Sequence, residues 1–215
     1  MNLKYKSYWR KSGLKGKWGD IFLNELNISK PKNFLEVGVF CGVTAINICS
    51  YLKKINGDDF SYIGVDLFGG AKSTFTDEIE PKFLKNQKFS NPIKNIFYNY
   101  ILRENLNSIQ SVKKFLKEYE KNIQLIKGDS NKILSSINLK QIDFAFIDGG
   151  HSYSTVQNDL DILYKNLKGK NVVLLCDDYG KESEIIEVKK AIDDYVQLKN
   201  LNLEVIENRF AKIII

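Results

Sequence analysis

The stretch Ile142–Tyr179, IDFAFIDGGHSYSTVQNDLDILYKNLKGKNVVLLCDDY, decides the fold of this chain. It begins with an apolar run that stops at Asp148, and it ends with a second apolar run that stops at Asp177 and Asp178. Residues 153–167 carry apolar side chains at a helical period between the two runs, which predicts strand, helix, strand. Such a unit almost always forms neighbouring parallel strands, so the three aspartates should meet at one edge of one sheet. Ligands bind at that edge in open α/β sheets.

The same alternation of strands and helices extends through the rest of the chain. Strands are predicted at Asn33–Val37, Ser61–Val65 and Ile123–Ile126, a terminal hairpin at Leu203–Ile206 and Phe210–Ile215, and helices at 18–26, 43–53, 96–106, 109–119 and 181–198, with a short one ending at Ile137. This order predicts an α/β fold: a Rossmann-like, doubly wound, mostly parallel seven-stranded sheet in three αβα layers, with a C-terminal antiparallel hairpin.

Residues 67–121 are too long for one ordinary connection between strands, so they are predicted to be an insertion. Its polar first part carries Phe75, Phe83 and Phe89 and is interpreted as a lid that orders over a ligand. We otherwise expect a single domain over residues 1–215, because a chain of 215 residues with 43% apolar residues can bury one sizeable core.

No apolar run approaches the roughly 20 residues that span a bilayer, and the N-terminus lacks an apolar signal segment. We therefore expect a cytoplasmic protein that does not bind membranes. Cys41, Cys49 and Cys176 lie within or beside apolar segments without CxxC spacing, and this predicts small buried core residues rather than disulfides or zinc ligands.

The net charge of +6 belongs to the N-terminal arm within residues 1–32. Its basic residues, all before the first acid at Asp20, are Lys4, Lys6, Arg10, Lys11, Lys15 and Lys17. A solvated, partly mobile tail is the first interpretation. The alternative is an arm that helps to hold an anionic substrate. Nucleic acid is not an expected partner, because no second basic stripe follows.

Glu36, Gly38 and Gly42 lie where the first strand passes into a helix. Glycines there allow a tight turn and a close approach to a ligand, and the helix N-terminus offers N–H groups to an anion such as a carboxylate. The third glycine of the GxGxxG dinucleotide pattern is missing, which disfavours NAD. A purely structural glycine turn remains the alternative.

Asp66 ends the second strand, where an acid can accept hydrogen bonds from both hydroxyls of a ribose. The alternative is a strand-end acid that caps the next turn. Asp129 follows the third strand and could meet an adenine amino group, or it could be the N-cap of the next helix.

These residues and the terminal hairpin resemble the class I S-adenosylmethionine-dependent methyltransferases over about residues 33–215. The resemblance implies that Glu36, Gly38 and Gly42 line the methionine part of S-adenosylmethionine. It likewise implies that Asp66 contacts the ribose and that the adenine lies beside Leu67, Asp129 and Ser130.

Within that family, the acidic trio is similar to the metal site of the catechol-type and macrolide-sugar O-methyltransferases. The resemblance implies that Asp148, Asp177 and Asp178 hold Mg²⁺ or another divalent cation, which suits carboxylate oxygens. The alternative is that Asp177 braces the end of the sheet. His151 stands where the catechol-type enzymes have a lysine base, so it is predicted to be a general base. The alternatives are that it caps the following helix or stacks on a substrate.

The predicted function is S-adenosylmethionine-dependent O-methylation of a small hydroxylated substrate, assisted by a divalent cation, with Asp148 and His151 as the catalytic residues. A vicinal diol, sugar or catechol, with an anionic group if the arm takes part, would suit such a site. The alternatives are an NAD-dependent oxidoreductase and a non-catalytic cofactor-binding protein of the same fold. A homodimer is left open.

Overall fold

A computed structural model describes residues 4–73, 89–180 and 186–215. The strands in these ranges are β1 Asn33–Val37, β2 Ser61–Asp66, β3 Ile123–Lys127, β4 Phe144–Ile147, β5 Val173–Cys176, β6 Leu203–Ile206 and β7 Phe210–Ile214. The α-helices are α1 Lys17–Ser29, α2 Val43–Asn56, α3 Pro92–Ile96, α4 Ile109–Phe115, α5 Ser130–Ser136, α6 Tyr153–Leu167 and α7 Ile186–Lys199. A π-helix, Phe97–Leu102, and a 3₁₀ turn, Lys117–Tyr119, complete the set.

The strands form one seven-stranded sheet in the order β3-β2-β1-β4-β5-β7-β6. Strands β1 to β5 are parallel, whereas β7 is antiparallel to both β5 and β6. The predicted mostly parallel sheet with a C-terminal antiparallel hairpin is confirmed. The strand order reverses between β1 and β4, and this switch point is where open α/β sheets bind ligands.

Helices cover both faces of the sheet, as the predicted three layers require. Alternate residues of β4 therefore enter different cores: Phe144 and Phe146 pack with α1 and α2, and Ala145 and Ile147 pack with α6 and α7. All four side chains are buried, which explains why this strand is a continuous apolar run rather than an alternating one.

The insertion differs from the continuous helix predicted at residues 96–106. Asn91 caps α3, which passes directly into the π-helix, and the helical chain ends at Arg103 because that residue has a positive φ of 48°. The ring of Phe89 stacks on Tyr98 with centroids 5.1 Å apart. Phe75 and Phe83, the other aromatic residues of the predicted lid, lie outside the described residues.

Other predicted boundaries also differ by a few residues, among them those of β5 and the last helix. Strand β5 begins at Val173 rather than at Asn171, because Asn171 has a left-handed φ of 59° that ends extended backbone. The described part of the last helix begins at Ile186, and residues 181–185 of its predicted range lie outside the described residues.

The N-terminal arm is not the solvated tail of the first interpretation. Leu14 is fully buried, and Tyr5 is only 8% exposed because it packs against α1 and α2. The physical reason is that the arm carries its own apolar side chains between its lysines, and burying these side chains offsets the entropy lost when the arm is ordered.

None of the helices in the described ranges is long and apolar enough to cross a membrane. Cys41, Cys49 and Cys176 are buried, as predicted, and none of them forms a disulfide within the described part of the chain.

Candidate active site

A cavity of about 370 Å³ lies at the carboxyl ends of the central strands. Its wall contains most of the predicted site residues: Gly38, Asp66, Leu67, Asp129, Ser130, Asp148, His151, Asp177 and Asp178. The parallel strands thus bring together one group of residues predicted for the cofactor and another predicted for catalysis. Glu36 and Gly42 are not in the wall.

The two predicted glycines are needed by the backbone itself. Gly38 has a φ of +93°, and a Cβ there would lie 1.9 Å from the carbonyl oxygen of Asp148. Gly42 has a φ of +76° and precedes α2, and its Cβ would lie 3.0 Å from Val112 Cγ1. The loop can therefore lie flat against β4 only with glycine at position 38, and this close packing forms one side of the cavity.

Glu36 is fully buried and does not line the cavity, so its predicted contact with the cofactor stays a prediction. The hydroxyl of Tyr62 donates a hydrogen bond to Oε2, whereas Oε1 has no hydrogen-bond partner in the part of the chain that the structure describes. Burial raises the pKa of Glu36 to about 8, against the lowering effect of the Tyr62 hydrogen bond, and the charge of Asp66 raises it further.

A pH-dependent effect on stability follows for Glu36→Gln. A carboxyl group whose pKa is raised in the folded state stabilises the fold below its unfolded pKa of 4.5 and loses that contribution as the pH rises to about 8. The free energy of unfolding of the unliganded wild type should therefore fall relative to Glu36→Gln over this window, by up to about 1.4 kcal/mol per pH unit. Urea unfolding at pH 5 and pH 8 measures it.

The exposed Glu120 supplies the control, since Glu120→Gln should follow the wild type at both pH values. Parallel curves for the wild type and Glu36→Gln would show that Glu36 is ionised in the fold throughout.

Asp66 lies in the cavity wall with 7% of its surface exposed. Its two carboxylate oxygens accept hydrogen bonds from the amides of Phe40, at 2.8 Å, and Phe68, at 2.6 Å. Burial raises the pKa of Asp66 to about 6, although these hydrogen bonds act in the opposite direction. A carboxylate has about four acceptor positions, so capacity remains for ligand hydroxyls.

Asp129 is the N-cap of α5, the structural alternative considered for it. Its Oδ1 accepts from the amide of Asn131 at 3.1 Å, and its Oδ2 accepts from the Ser73 hydroxyl at 2.6 Å. The hydroxyl of Ser130 donates to Asp159 at 2.9 Å. Contacts of Asp129 and Ser130 with adenine remain predictions.

Asp148, His151 and Asp178 form a compact cluster at the ends of β4 and β5. One potential ligand atom from each lies within 4.8 Å of the others, and His151 Nε2 is 3.1 Å from Asp178 Oδ2. Burial raises the pKa of Asp148 well above its ordinary value, and the charges of Asp177 and Asp178 add to this effect. The hydrogen bond with His151 lowers the pKa of Asp178.

Asp177 stands apart from this cluster because Arg209 holds it. Arg209 Nε and Nη2 each donate to one carboxylate oxygen at 2.7 Å, and Asp177 is only 3% exposed. The predicted acidic trio is thus divided between a bidentate ion pair and the cluster with His151. Arg209 lies between the two strands of the predicted terminal hairpin and was not predicted as a site residue. The pairing of β7 with β5 brings the residues before Phe210 to the end of β5. This pairing is the feature that would have indicated Arg209 as a site residue.

The donor atoms of Asp148, His151 and Asp178 fit a divalent cation. Two carboxylates and one imidazole converge from two strand ends, and the positive charge of Arg209 is already paired with Asp177. Carboxylate oxygens suit Mg²⁺ and Mn²⁺, and an imidazole nitrogen adds affinity for transition metals.

A family model described as a methyltransferase domain matches residues 35–179. A search of curated proteins finds no significant match. Among solved structures, the O-methyltransferase NovP has a TM-score of 0.61 at 16% identity, over 89% of this chain and 75% of that chain. The calicheamicin methyltransferase CalS11 has a TM-score of 0.61 at 14% identity, over 90% and 77%. The SAH-bound methyltransferase PaMTH1 of Podospora anserina has a TM-score of 0.57 at 13% identity, over 93% and 79%.

Proposed function

The chain belongs to the S-adenosylmethionine-dependent methyltransferases, and on this premise we propose that it methylates a hydroxyl oxygen of a small molecule with the help of a divalent cation. One observation carries the proposal: a single cavity joins Gly38 and Asp66, predicted for the cofactor, to the cluster of Asp148, His151 and Asp178. The comparisons give no support to an NAD-dependent oxidoreductase.

The proposed acceptor is a vicinal diol, sugar or catechol. CalS11, which shares the fold, is described as a TDP-rhamnose 3′-O-methyltransferase, and NovP is described as an O-methyltransferase. A cation held by two or three protein ligands keeps open coordination positions, which two neighbouring hydroxyls fill better than one.

His151 is the proposed general base. Its Nε2 lies 3.1 Å from Asp178 Oδ2, so the carboxylate orients the ring and would stabilise the imidazolium that forms when His151 takes a proton. The Gly38 turn and the carboxylate of Asp66 would position the methyl donor, and the walls of the cavity would exclude water from the reacting groups.

Asp148 and Asp178 are the residues that would hold the cation, and His151 would act beside it as the base rather than as a ligand. A divalent cation bound there supplies positive charge that lowers the pKa of an acceptor hydroxyl. Asp177, also predicted as a ligand, would join them only if it left Arg209.

The experiment combines binding with turnover. S-adenosylhomocysteine should raise the melting temperature by linkage, corresponding to about 2.7 kcal/mol at a hundred times its Kd, whereas NAD should not. Methyl transfer from S-adenosylmethionine should then appear with catechols, sugars or nucleotide-linked sugars. Transfer to isolated amines alone would contradict the proposed O-methylation.

Metal dependence is a separate prediction. Treatment with EDTA should abolish methyl transfer, and added Mg²⁺ or Mn²⁺ should restore it, while the melting shift with S-adenosylhomocysteine stays nearly unchanged. The cation is expected to bind beside the acceptor rather than the nucleoside. Full turnover in EDTA would mean that the acidic cluster orients the acceptor directly, without a cation.

A further inference from the structure

The N-terminal arm is fastened to the body on both sides of Lys11. Arg10 Nε donates to the carbonyl of Cys41 at 2.8 Å, and its guanidinium also donates to Ser111 Oγ at 3.0 Å. On the other side, Leu14 is fully buried. Because these anchors are one and three residues away, the backbone at Lys11 has a defined position.

That position is in the wall of the cavity. Lys11 and the next two residues, Ser12 and Gly13, all line it, and a Cβ at Gly13 would lie 3.8 Å from Asp148 Oδ2. Ser12 Oγ lies 3.1 Å from the hydroxyl of Tyr5. This contact holds Ser12 against the buried side chain of Tyr5. The arm therefore borders the part of the cavity where the acidic cluster lies.

The ammonium group of Lys11 is not used to neutralise the cavity's acids. Among the described residues, four of the five carboxylates of the wall, all but Asp148, have other partners: Asp66 accepts from backbone amides, Asp129 from Ser73 and Asn131, Asp177 from Arg209, and Asp178 bonds to His151. Lys11 is half-buried and forms no ion pair with any of them. Partial burial of a charged group carries a cost that a counter-charge offsets.

We propose that Lys11 binds an anionic oxygen group of a ligand in this cavity, which makes it a specificity-determining residue on the arm. The inference rests on the proposed methyl transfer, and two sources of the anion share this chemistry. One is the carboxylate of the methionine part of S-adenosylmethionine. The other is a phosphate or carboxylate carried by the acceptor. A flexible ammonium group suits both, because it binds as a point charge.

Calorimetric titration of Lys11→Met distinguishes the two sources. If Lys11 binds the cofactor's carboxylate, the Kd of S-adenosylhomocysteine should rise at least about ten-fold, as expected for a lost charge-assisted hydrogen bond. The Kd of 5′-methylthioadenosine, which lacks the amino-acid part, should not change. If Lys11 instead binds the acceptor, both Kd values should stay constant, and KM should rise about ten-fold for a nucleotide-linked sugar but not for a neutral one.

Lys15→Met is the matched control, because Lys15 belongs to the same arm but is exposed and does not line the cavity. Lys11→Arg should retain most of the affinity, since the charge remains. Unchanged Kd and KM values in Lys11→Met, with an unaltered unfolding curve, would overturn the inference and leave the proposed methyl transfer intact. A wild-type protein that fails to bind S-adenosylhomocysteine would instead contradict the proposed function itself.

Discussion

Replacing His151 by alanine should lower kcat for methyl transfer about 10²–10⁴-fold, the usual contribution of a general base. The Kd of S-adenosylhomocysteine should stay the same, because His151 borders the acidic cluster rather than Asp66. An imidazole is suited to this role because its ordinary pKa is close to neutrality. Asp178 can orient the ring, since its Oδ2 lies 3.1 Å from His151 Nε2. The loss should shrink at higher pH, where solvent hydroxide replaces the base. Steady-state kinetics from pH 6 to 9 would measure it.

Two further variants separate proton transfer from positioning. His151→Gln retains a hydrogen-bonding group toward Asp178 but cannot take up a proton, so it should be as slow as His151→Ala. Tyr153→Phe is the control, because Tyr153 is only two residues from His151 in sequence but does not line the cavity. Its hydroxyl bonds to Asp194 instead. It should keep the wild-type rate. A wild-type rate in His151→Ala would leave His151 as a residue that only supports the loop.

Replacing Arg209 by alanine should reduce the free energy of unfolding by about 3–5 kcal/mol, the cost of leaving one member of a buried ion pair without its partner. Asp177 is 3% exposed and loses both of its 2.7 Å hydrogen bonds from the guanidinium. Burial already raises the pKa of Asp177, and Arg209 opposes that effect. Without Arg209 the folded-state pKa rises further, so the destabilisation should be larger at pH 7 than at pH 4. Urea unfolding at both pH values tests this.

Lys165→Ala provides the comparison, since the Lys165–Asp161 pair is largely exposed and should contribute less than about 1 kcal/mol. Adding Asp177→Asn to Arg209→Ala should recover part of the lost stability by removing the uncompensated charge. A loss in Arg209→Ala no larger than that in Lys165→Ala would show that Asp177 takes up a proton or another partner without cost.

Much of the fold could be predicted because its signals are local. The bounds of β1 and α6 agree with the prediction residue for residue, since apolar runs and helical periodicity depend only on neighbouring residues. Two of the boundary predictions that differ, at Asn171 and Arg103, depend on single backbone angles. The φ of +48° at Arg103 ends the helical segment before residue 106, where it was predicted to end. No hydrophobic pattern in the sequence indicates this angle.

The candidate site was predicted in its residues but not in their pairing. Strand ends that carry Asp66, Asp148 and Asp178 had to meet at one edge, because parallel strands in one sheet present their carboxyl ends together. Glu36 is at the end of the same kind of strand, yet its side chain does not line the cavity. Which face of the sheet a residue occupies near a strand end depends on the register of the neighbouring strands, and this is a tertiary property.

The sequence by itself determined that the chain forms a doubly wound sheet with carboxylates and one histidine at the ligand-binding edge. Only the tertiary structure decided which charges are paired. Arg209 reaches Asp177 because β7 lies antiparallel beside β5, and Lys11 reaches the cavity because Arg10 and Leu14 hold the arm against the body. Both contacts join residues that are far apart in sequence, so they depend on packing, which no local pattern encodes.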